Sequence, residues 1–157
     1  MACTIHYSLG CVLMSKEMTK AFIQFSEAIW SINAYVGGIM AQDAELKPYS
    51  TQQLQTLRII NEHPDISQGE IAAIQGVFKT AISNRIKKLE QNSLIIIDSG
   101  RDKRERSVKI TEKGIKLIEK SEAIIFGHLN ELLHTEFSDE EIVTFTRQLD
   151  RINSLLK

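Results

Sequence analysis

The sequence predicts a mainly α-helical fold carrying one small β-hairpin. Three observations point there. Apolar residues recur at alternating steps of three and four near both ends, at Phe22, Phe25, Ile29, Ile32, Val36 and Ile39 and again at Ile142, Phe145, Leu149 and Ile152. That spacing lines one face of a helix. Ser67 with Glu70, and Ser138 with Glu141, have the spacing of capping boxes that start helices. Only one region offers strands: Leu94–Ile97, four β-formers, followed by Ser107–Thr111 with Val108 and Ile110 alternating against polar neighbours.

Taken in order, Lys16 to Gln42 forms the first helix, its stripe widened by Ala21, Ala28, Trp30 and Met40. The linker "DAELKPYS" ends in Ser50, an N-cap for a second helix bearing Leu54, Leu57, Ile59 and Ile60 and stopped before Pro64. Ser67 opens a short helix from Gln68 to about Gln75, Gly76 supplies a tight turn, and another helix runs from Lys79 to Gln91. Ala72 at the crossing and Ala81, Ile82, Ile86 and Leu89 facing inward make this pair a helix-turn-helix. A generic αα-hairpin needs no particular outward chemistry. Here Lys79, Thr80, Ser83, Asn84, Arg85, Lys87 and Lys88 face outward, with no acid before Glu90, and that pattern favours DNA recognition.

The six charged residues Arg101 to Arg106 fall between the two strands, at the tip of a hairpin that directly follows the basic helix. Read alone, such a run is a solvated loop. In that place it reads as a wing, whose arginines suit a narrow and strongly negative minor groove while the helix takes the major groove. Thr111 then caps a helix carrying Ile115, Leu117, Ile118, Ile124, Ile125, Leu129, Leu132 and Leu133, and Ser138 starts the last helix, which ends near Leu156. Stripes at both ends of the chain predict that the first and last helices form a homodimer interface, the alternative being an intramolecular helix pair.

Composition sets the outer limits. At 157 residues and 43% hydrophobic content, the chain can bury a core as one domain. The net charge of −1 hides an asymmetry: Lys79 to Lys113 holds ten basic residues against five acids, and the remainder nine against fifteen. An anionic partner is the simplest reason to concentrate positive charge. Cys3 and Cys11 form no disulfide framework, which fits a reducing, cytoplasmic setting. The opening "MACTIHYSLGCVLM" lacks a basic leader and is too short to span a bilayer. Residues 1–15 are set apart as an N-terminal extension, either disordered or an upstream alternative start.

The order helix, helix, helix-turn-helix, wing, helix, helix, with the wing ending in "DKRERSVKITEKG", resembles the MarR family of bacterial winged-helix transcription regulators. The family's wing reads D-x-R, an apolar residue four positions on, then an aliphatic residue followed by T-x-K-G. Asp102, Arg104, Val108, Ile110, Thr111, Lys113 and Gly114 fill those positions without a gap. The resemblance covers roughly residues 16 to 157 and implies a winged helix-turn-helix with N- and C-terminal dimerisation helices. On that reading residues 16–48 and 115–157 dimerise and 50–114 bind DNA. Two positions depart from the family pattern: Phe78 stands where Ser or Asp usually caps the recognition helix, and Ser93 stands where Gly usually precedes the wing.

The resemblance implies a repressor acting as a homodimer on a pseudo-palindromic operator. Arg101, Lys103, Arg104 and Arg106 are its wing cations, Arg104 the minor-groove residue and Asp102 the carboxylate that fixes the arginines. It also implies release of DNA by a small aromatic or phenolic effector. Trp30, Tyr35, Tyr49 and His63 lie on the elements that would line its pocket, although aromatic residues at helical spacing are commonly core. The alternative signal is peroxide. "CVLMSKEMTK" is similar to the redox-sensing branch, with Cys11 as the sensing thiol, six residues before Glu17.

No cofactor and no metal are expected: His6, His63, His128 and His134 are scattered without ligand spacing. Catalysis is excluded on motif grounds, since G-x-S-x-G, a Gly-rich phosphate loop and H-E-x-x-H are all missing. The rival of another class is a winged-helix protein-interaction module without DNA binding. That rival would show exposed apolar anchors in place of the cations.

Overall fold

The computed structural model describes residues 15–99 and 106–156. Among them the chain runs α1 (Lys16–Gln42), α2 (Thr51–Glu62), β1 (Ile66–Ser67), α3 (Gln68–Gln75), α4 (Lys79–Gln91), β2 (Ile95–Ser99), β3 (Arg106–Ile110), α5 (Glu112–Leu133) and α6 (Asp139–Leu155). Two compact units meet at Tyr35/Val36, inside α1.

The first unit contributes the N-terminal part of α1. Its stripe is not buried: Phe22 is 64% exposed and Ile32 53%. The second unit holds the core. Leu46, Leu57, Ile71, Ile82, Leu89, Leu94 and Val108 are fully buried, and they cluster with Met40, Leu54, Ile60, Ile66, Ile86, Ile95, Leu117 and Ile118. The packed elements are therefore the end of α1 that carries Ile39 and Met40, α2 to α5 and the sheet, drawn together by the apolar positions that the helical and strand spacings single out.

Side chains at the helix starts do the capping the sequence calls for. Ser67 and Ser138 each close a capping box with the glutamate three residues on, Glu70 and Glu141. Those hydrogen bonds hold both carboxyls below the usual carboxylate range, the serine backbone N–H acting first and the hydroxyl second. Ser50 also forms a full box with Gln53, an arrangement the cap alone does not reveal. Gly76 ends α3 at φ +61°, the left-handed conformation that glycine adopts without a steric penalty.

The sheet has three antiparallel strands in the order β1-β3-β2, one more than the sequence predicts. β2 and β3 pair from Ile95 opposite Ile110 to Ser99 opposite Arg106, and β1 pairs Ile66 with Val108 and Ser67 with Ser107. The hairpin's strands sit one or two residues from the expected bounds. Leu94 precedes β2, because its N–H bonds back to Leu89 at the end of α4 and its carbonyl accepts from Thr111. Ile95 is buried and Ile96 is 55% exposed, so the "LIII" run alternates between faces as a half-buried strand does.

α6 buries no residue. Ile142, Phe145 and Ile152 are 44%, 53% and 43% exposed. The second half of α5 is similar, with Phe126, Leu132 and Leu133 about half exposed. No described helix is long and apolar enough to cross a membrane.

Candidate nucleic-acid interface

α4 is positioned from both ends. At its start Phe78 is the N-cap in extended backbone, φ −68° and ψ 143°, with no side-chain hydrogen bond. At its end Ser93 takes the left-handed turn at φ +59°, a conformation that costs a serine more than a glycine. The T-x-K-G segment secures that turn. Thr111 Oγ1 donates to the Ser93 carbonyl at 2.8 Å and accepts the Gly114 N–H at 3.1 Å, while Lys113 Nζ donates to the Asn92 carbonyl at 2.9 Å. Gly114 lets α5 lie directly against the Leu94 backbone. The C-terminus of α4, the start of the hairpin and the start of α5 are thereby joined at one corner, and the hairpin takes its direction from α4.

The outward face of α4 is largely as the sequence predicts. Lys79, Thr80, Ser83, Asn84, Lys87 and Lys88 are exposed, and Lys79, Lys87 and Lys88 form no ion pair with any described residue. Ser83 Oγ donates to Gln68 Oε1 on α3 at 3.0 Å. Arg85 differs from these neighbours. It is half-buried, and its Nη1 donates to Gln75 Oε1 at 2.6 Å. Its place beside inward Ile86 turns it toward α3, where the Gln75 carbonyl offers an acceptor. Thr56 Oγ1 lies 3.3 Å from the same oxygen, and Gln75 Nε2 is buried with no partner.

Two more cations of the basic segment are engaged within the protein. Lys109 bridges Asp98 at 3.0 Å and Asp65 at 3.2 Å, and those hydrogen bonds, Asp98 first, hold its ammonium above the usual lysine range. Asp65 sits at φ +61° and thus ties the turn before β1 to the base of the hairpin. Lys113 holds the Asn92 carbonyl. Counting residues overstates the charge available to a partner, because acids distant along the chain, such as Asp65, can lie beside a cation in space.

Arg106 is the first residue of β3, paired with Ser99. Arg101, Asp102, Lys103 and Arg104 lie outside the described residues, as does Cys11. Of the four aromatic candidates, Tyr49 and His63 line different clefts of the second unit. Tyr49 lines a cleft with Pro48, Leu94, Leu117, Lys113 and Lys116, where burial raises its phenol above the ordinary value. His63 lines a separate one with Glu62, Asp65, Ile66 and Glu70. Trp30 and Tyr35 belong to the first unit, 79% and 39% exposed. Among the described residues no group of three or more His, Cys, Asp or Glu is placed to hold a metal ion.

Two short helices with a left-handed glycine at the corner, followed by an antiparallel hairpin rooted on the second helix, define a winged helix-turn-helix. Comparison with known proteins then supplies the family. The family model described as "MarR family" matches residues 48–105. YdgG of Bacillus subtilis, an uncharacterized HTH-type transcriptional regulator, is 31% identical over 121 residues, covering 75% of this chain and 79% of the relative. TcaR of Staphylococcus aureus, also an HTH-type transcriptional regulator, is 29% identical over 139 residues, 86% of this chain and 91% of the relative. Among solved structures, Sco3205 of Streptomyces coelicolor, a MarR family transcriptional regulator in complex with DNA, superposes with a TM-score of 0.75 at 15% identity, over 92% of this chain and 90% of that one. The chain belongs to the MarR family of transcriptional regulators, a family of regulators and not of enzymes.

Proposed function

We propose that this protein is a homodimeric repressor that binds a pseudo-palindromic site in double-stranded DNA. The observation that carries the proposal is the exposed face of α4, with Lys79, Thr80, Ser83, Asn84, Lys87 and Lys88 together and no acid before Glu90, set at the root of a hairpin leading to Arg101–Arg106. Sco3205, which shares the fold, is solved in complex with DNA. α4 enters the major groove and Ser83 and Asn84 read base edges, while the lysines hold phosphates. Arg104 reaches the minor groove, and Asp102 orients it. Arg85 supports α4 through Gln75 and is at most a secondary contact. The apolar stripes of α1 and α6 each meet their counterparts on a second copy, which removes large exposed side chains from water. A dimer seated on a promoter excludes other proteins from it, and repression follows.

A salt titration tests this reading. With six to ten phosphate contacts, log affinity for a selected duplex falls linearly with log salt at a slope of roughly −5 to −9. Arg104→Ala is expected to lower affinity about ten- to a hundredfold while leaving the melting temperature within roughly 2 °C of wild type. A flat salt response removes phosphate binding from the account, and an unchanged affinity removes the wing. The same titration with a salicylate-like phenol, and separately with peroxide, distinguishes effector release through Tyr49 and its cleft from oxidation of Cys11. The protein-interaction alternative gains only if no duplex is bound at any salt concentration.

A further inference from the structure

Phe78 is the residue the fold explains least. It occupies the N-cap of α4, where Ser, Thr, Asp or Asn would accept a backbone N–H, and its ring accepts none. The ring does not pack into the core either: Phe78 is 86% exposed, the highest value for a large apolar side chain among the described residues. A phenylalanine here forgoes a cap and leaves an aromatic face exposed among the described residues. The residues that follow it on α4 are polar and cationic, Lys79 and Thr80 directly and Ser83 and Asn84 one turn beyond them, all exposed, while Val77 and exposed Ile74 precede it.

Resting on the DNA-binding reading above, we infer that Phe78 is a specificity-determining residue that packs on the C5-methyl group of a thymine in the major groove. The chemistry of the groove selects that target. Base-pair edges there present hydrogen-bond donors and acceptors, and the thymine methyl is the one apolar group among the four standard bases. An apolar probe at the leading end of a recognition helix therefore has one class of partner on DNA. Charge complementarity favours DNA over a protein as the occupant, because the ring stands at the head of a helix with Lys79, Lys87 and Lys88 exposed and no acid before Glu90. The extended backbone at Phe78, φ −68° and ψ 143°, is ordinary for an N-cap, so the position needs no special residue for conformational reasons.

The test uses the full chain and a duplex recovered by selection from a random pool. Each thymine is replaced in turn, symmetrically in both half-sites, by deoxyuridine, which deletes only the methyl group, and binding is followed by fluorescence anisotropy. At one symmetric pair of positions wild type is expected to lose about fourfold per half-site, about fifteenfold for the pair, as burial of one methyl group implies. Phe78→Ala binds the thymine duplex about as weakly as wild type binds the deoxyuridine duplex, and loses nothing further when deoxyuridine is introduced. Phe78→Leu retains part of the discrimination. Circular dichroism confirms that the variants fold, which an exposed position permits. Equal responses of wild type and Phe78→Ala at every thymine overturn the assignment and leave Phe78 as an anchor for a protein partner, while DNA binding itself stands. Failure of wild type to bind any duplex overturns the DNA reading and this inference with it.

Discussion

A chain ending at Phe137, without α6, is expected to be a monomer whose affinity for its DNA site has fallen by on the order of a thousandfold or more, to the level of non-specific binding. A single recognition helix reads one half-site, and specific binding requires two of them held about one helical turn apart, roughly 34 to 36 Å. α6 contributes no buried residue to the core of its own chain, while Ile142, Phe145 and Ile152 stand in one exposed row. Its removal should therefore spare the fold and abolish the pairing. Phe145→Glu combined with Ile152→Glu, which keeps the helix and places charges on the stripe, should do the same. Light scattering and anisotropy read both consequences. A stable dimer in either variant contradicts the assignment of α6 to the interface.

The second large effect concerns stability. Gly114→Ala is expected to cost about 3 kcal/mol, the upper end for overpacking a tight site, and to lower the melting temperature by roughly 6 to 12 °C. A Cβ at this position would lie 2.7 Å from Ile110 Cγ1 and closer still to the Leu94 carbonyl oxygen. That oxygen is backbone and accepts the Thr111 N–H at 3.0 Å, so it cannot retreat without breaking the corner that joins α4, the hairpin and α5. The glycine of the T-x-K-G motif is thus required for close approach and not for its φ angle. A melting temperature within roughly 2 °C of wild type would show that the corner can relax.

Much of this was legible in the sequence because the signals are local. The bounds of α1, α3 and α4 follow from apolar spacing, and Ser67 and Ser138 mark helix starts through chemistry confined to four residues. Ser93 was legible as standing where Gly usually precedes the wing, and the structure gives it the left-handed conformation that glycine would adopt there. What the sequence could not show depends on partners distant along the chain. β1 is two residues long, and it is a strand only because Val108 and Ser107 lie beside it. Arg85 belongs to the outward pattern by spacing alone, and its attachment to Gln75 needs the crossing of α3 over α4. Lys109 counts as a free cation in any tally of charge, yet Asp65 is brought to it across more than forty residues. Phe78 was visible as a departure from the family pattern, and only its exposure turns that departure into a hypothesis about base recognition.

The account depends on two copies of the chain presenting their α4 helices and wings to one duplex. The mass of the complex, measured by size-exclusion chromatography with light scattering on a selected palindromic duplex at moderate salt, tests that most directly. The expected result is two chains per duplex, with the same duplex lacking one half-site bound far more weakly. One chain per duplex, or no complex at all, would contradict it.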